Sequence, residues 1–128
     1  MPLVAQVLET HKASAGACEQ ASGALINLTW GSEARTQKLV ENGAVPHLGM
    51  VLETHKIHEG ACEMASGAFW SIASVASLKA VVISAGVVPL LANVWKCHAG
   101  AKTNAHGALN ALGYNDDGSK KYVYNQAF

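Results

Sequence analysis

The sequence predicts an all-α fold in which short helices stack as a solenoid, and three observations predict it. The first is internal repetition. Gly16-Ala17-Cys18-Glu19-Gln20-Ala21-Ser22-Gly23-Ala24-Leu25-Ile26-Asn27-Leu28 returns 44 residues later as Gly60-Ala61-Cys62-Glu63-Met64-Ala65-Ser66-Gly67-Ala68-Phe69-Trp70-Ser71-Ile72. A third, diverged copy runs from Gly100 to Leu112, 40 residues further on. A period of about 40 to 45 residues marks stacked helical repeats. The second is composition: 50% of the chain is apolar but only 6% is aromatic. A core built from Ala, Val, Leu and Ile suits closely packed small helices. The third is the recurrence of helix start and stop signals around each copy.

The first element, Pro2-Leu3-Val4-Ala5-Gln6-Val7-Leu8, has apolar residues at helical spacing and Pro where a first turn tolerates it. Its second copy starts at Pro46 and shares Val-Leu-Glu-Thr-His-Lys with the first, and its third starts at Pro89. The small-residue helix follows each time. Ala21, Ala24, Leu25 and Leu28 fall at i, i+3, i+4 and i+7 and predict one apolar stripe. Gly16, Gly23, Gly67 and Gly107 each cost about 1 kcal/mol relative to Ala within a helix, so this helix predicts close backbone approach by a neighbour. The last element is shorter. Ser32 to Gly43 opens on a capping Ser, carries Glu33 in its first turn and ends in Asn-Gly. Copies are expected over Ser77 to Gly86 and, after the turn Asn115-Asp116-Asp117-Gly118, over Ser119 to Phe128.

The totals bound the function. At 128 residues the chain is one domain's worth, residues 1–128, with repeat units at about 1–43, 44–86 and 87–128. Nine basic and nine acidic residues cancel, which lacks the clustered charge a nucleic-acid binder needs. No apolar run approaches the roughly 18 residues of a membrane span. Cys18 and Cys62 occupy equivalent positions about 10 Å apart along a stack, too far for a disulfide, and read as small buried hydrophobes. A soluble, intracellular protein is expected, cytoplasmic by default and compatible with the nucleus.

Val40-Glu41-Asn42-Gly43-Ala44-Val45-Pro46 and Ile83-Ser84-Ala85-Gly86-Val87-Val88-Pro89 give a Gly-x-x-Pro corner between two helices. Together with the period and the Ala17–Leu28 pattern, this corner resembles the armadillo repeat over essentially the whole chain. HEAT repeats are similar, but the three-part unit with this corner favours armadillo; tetratricopeptide repeats have a shorter period and two helices. The resemblance implies a right-handed superhelical solenoid of three permuted repeats of three helices. It also implies a concave face lined by the third helices, on which armadillo proteins hold extended peptides with a ladder of Trp and Asn. Here the Trp position holds Gly23, Gly67 and Gly107, and the Asn position holds Asn27, Ser71 and Ala111, so the ladder does not carry over. Other groups on or near that face replace it: Trp30, Trp70, Asn110 and Tyr114.

Catalytic and metal readings lack support in spacing. His55 and His58 stand three apart with no carboxylate or cysteine in a zinc-ligand pattern, and surface exposure is the expected state of the histidines. Cys97 and His98 are adjacent, so a helix would point them apart. A calcium loop over Asn115–Ser119 would need a bidentate Glu where Tyr124 stands. The expected function is therefore non-enzymatic, with neither cofactor nor metal: a protein or peptide partner bound through Asn27, Trp30, Trp70, Ser71, Asn110 and Tyr114, without nucleic acid or membrane. The alternative is an assembly unit. Apolar Leu3, Val4, Val7 and Leu8 at one end and Tyr122, Val123, Tyr124 and Phe128 at the other would then join copies as a homodimer or head-to-tail oligomer.

Overall fold

The computed structural model describes residues 14–121. Helix α1 spans Ala15–Thr29, and the Ser14 side chain caps it by accepting from the Ala17 amide at 3.2 Å. Helix α2, Glu33–Glu41, opens the same way, with Ser32 accepting from Arg35 at 3.3 Å. It stops where Gly43 adopts φ 86°, a left-handed conformation that costs glycine nothing, and α3 then runs over Ala44–Thr54. Helix α4, Glu59–Ala73, is capped by a histidine: His58 Nδ1 accepts from the Ala61 amide at 3.0 Å. A 3-10 turn, Ala76–Leu78, leads into α5, Lys79–Ser84; Gly86, at φ 76°, turns the chain into α6, Val88–Cys97. A second 3-10 turn, Ala99–Ala101, precedes α7, Lys102–Leu112. The described residues are thus all-helical, with seven α-helices and no strand; their one β-type pairing is an isolated bridge between Tyr114 and Lys120.

The small-residue helices form one layer. Helix α4 packs against α1 on one side and α7 on the other, while α3 and α6 pack beneath α4 and α7 and touch each other. The shorter α2 and α5 lie across α4 and α7. Equivalent letters enter the core: Cys18 and Cys62, Ala21, Ala65 and Ala105, and Leu25, Phe69 and Leu109 are all buried. Leu48, Leu52 and Leu91, all buried, reach them from the second layer. Each fully buried Leu or Phe contributes about 1.5–3 kcal/mol by leaving water, which makes this shared row the main source of cohesion.

Three expectations change. The apolar stripe of α1 is not Ala21, Ala24, Leu25 and Leu28, because Ala24 and Leu28 are exposed and Cys18, Ala21 and Leu25 face the core. The glycines are not met by a neighbouring backbone. A Cβ on Gly67 would lie 2.7 Å from the Ile26 side chain, and one on Gly107 2.3 Å from the Trp70 ring, so side chains of the preceding helix fill those places. The helix expected from Ser119 does not begin there. Asp117 Oδ1 accepts from both the amide and the hydroxyl of Ser119, at 2.9 and 2.6 Å, and the Lys121 amide donates to Gly113 at 3.0 Å. That local turn satisfies Ser119 before it can cap a helix. Leu3, Val4, Val7, Leu8, Tyr122, Val123, Tyr124 and Phe128 lie outside the described residues.

Candidate functional site

The layer of α1, α4 and α7 carries a run of three adjoining depressions. The first, about 490 Å³, lies over α1 between Glu19, Gly23, Asn27 and Met64. It shares Ile26 and Asn27 with the second, about 480 Å³, which Trp30, Gly67, Trp70 and Asn104 complete. Trp70 then separates this from the third, about 420 Å³, walled by Trp95, Lys102, His106 and Asn110. All three tryptophans of the chain therefore line one continuous surface.

A register rule builds it. The residue three places after each helix glycine leans onto the glycine of the next long helix: Ile26 onto Gly67 and Trp70 onto Gly107. The residue four places after each opening glycine leans back: the Met64 sulfur sits 3.5 Å from a Cβ built on Gly23. Asn104 lies against Gly67 and donates to the Glu63 carbonyl at 2.9 Å. The Trp70 ring is thus held flat over Gly107 and meets Trp30 edge-on, with centroids 5.7 Å apart and planes at 82°. Trp30 remains 56% exposed. A partly exposed tryptophan braced by a second ring is a ready contact anchor.

The expected residues divide. Asn27, Trp30, Trp70 and Asn110 come together on this surface, Asn27 and Asn110 with exposed side chains. Ser71 does not join them: it is buried, and its hydroxyl is hydrogen-bonded to that of Thr29 at 2.9 Å, tying α4 to α1. Tyr114 is half-buried against the core and borders none of the three depressions. Its amide donates to Leu109 at 2.9 Å, within the turn that leaves α7. Trp95, Lys102, Asn104 and His106 were absent from the expectation. Their signal was present as departures from the repeat: Lys102 stands where Cys18 and Cys62 do, and His106 where Ser22 and Ser66 do.

Charge is unevenly spread along the surface. Glu19 borders the α1 end. At the α7 end, the Lys102 ammonium lies 3.5 Å from the Trp95 ring centroid, and Lys121 donates to the Asn110 amide oxygen. His106 Nδ1 and Asp116 Oδ1 are 2.8 Å apart. The Ser119 hydroxyl, and then its amide, hold the Asp117 carboxyl below its ordinary pKa.

The reactive side chains are otherwise occupied. Burial raises the pKa of the Cys18 thiol, and burial followed by the charge of Cys97 pushes Cys62 up to about 11. Cys97 donates weakly to Asn93 at 3.5 Å, while His98 Nε2 lies 2.6 Å from the Lys56 carbonyl, so these neighbours in sequence have different partners. His98 is thus a buried joint where surface exposure was expected, while His58 is exposed as expected and uses its ring to cap α4. Among the described residues no three His, Cys, Asp or Glu side chains gather as a metal site, and no single helix is long and apolar enough to cross a membrane. No family model, curated protein or solved structure matches the chain.

Proposed function

We propose that the chain is an armadillo-like, right-handed solenoid that binds a protein or peptide along the face of α1, α4 and α7, without covalent chemistry and in a cytoplasmic setting. The observation that carries this reading is the gathering of Trp30, Trp70 and Trp95 on one run of depressions, with the exposed amides of Asn27 and Asn110 beside them. Aromatic rings supply anchoring area and amides pair with an extended backbone, the two things a peptide groove needs. Selection of display-library peptides on the full chain tests it. Selected peptides should shift tryptophan fluorescence, and Trp30→Ala, at a side chain more than half exposed, should weaken them about tenfold or more. Binding indifferent to Trp30→Ala and Trp70→Ala would sink the reading.

A second reading, that copies of the chain associate, is favoured by one observation. On α1, Ala24 and Leu28 are exposed among the described residues, while their copies Ala68 and Ile72 on α4 and Ala108 and Leu112 on α7 are buried. Multi-angle light scattering should then give twice 13.3 kDa at about 100 μM, lowered by Ala24→Arg. A single species of 13.3 kDa would rule it out.

A further inference from the structure

We infer that the partner carries a carboxylate, Asp or Glu, that docks at the α7 end of the groove against Lys102, with an apolar side chain seated between Trp30 and Trp70. This rests on the groove reading above and adds the partner's chemistry. The argument is one of charge complementarity. The depression walled by Trp70, Trp95, Lys102, His106 and Asn110 has two ammonium groups at its edge, Lys102 and, through Asn110, Lys121. Among the described residues no carboxylate pairs with Lys102; the Trp95 ring is its neighbour at 3.5 Å. A cation resting on an indole has lost part of its water and keeps donors free, so an arriving carboxylate finds it partly desolvated.

The acids at this end do not compete. Asp116 is engaged by His106 at 2.8 Å, and Asp117 accepts from Ser119 at 2.6 and 2.9 Å. Both belong to the turn after α7, where Asp117 is satisfied within the turn and Asp116 by His106 of α7. At the opposite end of the groove the chemistry reverses, because Glu19 borders the α1 depression. A basic partner segment would meet Lys102 with like charge, and an acidic one placed over α1 would meet Glu19. The order along the groove is therefore carboxylate near α7 and apolar anchor over α4. Adjacent helices lie about 8–10 Å apart, so extended chain at about 3.3 Å per residue separates the two by roughly three residues.

The test uses display-library peptides selected on the full chain and first sorted by sensitivity to Trp30→Ala. Those that pass should be enriched in Asp or Glu about three residues from an aliphatic or aromatic one. Changing that acid to its amide should weaken binding by about three- to tenfold, as should Lys102→Gln, and the two changes together should cost little more than either alone. Raising salt from about 0.05 to 0.5 M should remove most of the difference. Lys38→Gln, on α2 away from the groove, serves as the control and should leave affinity unchanged. Trp30-dependent peptides without acidic enrichment, or additive costs for the acid and Lys102, would overturn the carboxylate while leaving the groove intact. Failure to recover any Trp30-dependent peptide would remove the groove reading and this inference together.

Discussion

Leu28 on α1 and Ile72 on α4 occupy the same place in the repeat, yet Leu28 is 38% exposed and Ile72 is fully buried. Ala24 and Ala68 differ in the same way, one exposed and one buried. The helices themselves are near copies, each 15 residues long and capped by the side chain of the residue before it. What differs among the described residues is the neighbour: α4 has α1 packed beside it and α2 across it, whereas no described helix covers Ala24 and Leu28 of α1. Burial in a stack is thus conferred by the preceding element, and identical letters carry unequal weights. At the far end the corresponding change is chemical. His106, with a side chain 56% exposed, replaces the buried Ser22 and Ser66 and pairs with Asp116 of the following turn.

Truncating the two equivalent aliphatic residues gives the largest effect and tests the comparison directly. Ile72→Ala removes a fully buried side chain and should cost about 2–5 kcal/mol in urea unfolding, the transfer term plus the cavity left behind. Leu28→Ala should cost less than about 1 kcal/mol, because much of its surface is already wet. Equal costs would mean that something covers the α1 stripe in solution. Concentration dependence of the Leu28→Ala midpoint would then separate a second copy from a cover within the chain.

The helical layer was legible in the sequence because periodicity and caps are local signals. The Ser32 cap, the Gly43 and Gly86 corners and the three copies of the small-residue helix can be placed from their letters. What was not legible depends on neighbours. Ala24 and Leu28 complete a good helical stripe on paper, but both are exposed, and among the described residues no helix covers them. Ser71 sits at a groove-like position by alignment, but Thr29 of the previous helix lies within hydrogen-bond reach and draws it inward. Ser119 reads as a cap until Asp117, two residues earlier, satisfies it. In the candidate site, two of the three tryptophans of the wall were foreseen, Trp30 and Trp70. Trp95 and Lys102 were missed because they lie on different helices and meet only when α6 and α7 pack.

The glycines sharpen the comparison at smaller cost. A methyl group on Gly107 would lie 2.3–2.5 Å from three atoms of the Trp70 ring, whereas one on Gly16 meets nothing within 4 Å. Alanine improves helix propensity at both sites by up to about 1 kcal/mol, so the sign of each effect depends on the neighbour. At Gly107 the rigid indole must tilt off its seat, an overpacking cost of about 1–3 kcal/mol that offsets or exceeds the propensity gain. Gly107→Ala is therefore expected to destabilise by about 1 kcal/mol and to change the tryptophan emission. Gly16→Ala, in the first turn of α1, should stabilise by about 0.5 kcal/mol with emission unchanged. If Gly107→Ala were as stabilising as Gly16→Ala, Trp70 would not be seated on α7. The groove would then lose the wall that divides its second and third depressions. A loss of stability with shifted emission at Gly107 alone would tie the repeat's missing side chain to the position of the ring, making this glycine a determinant of groove shape.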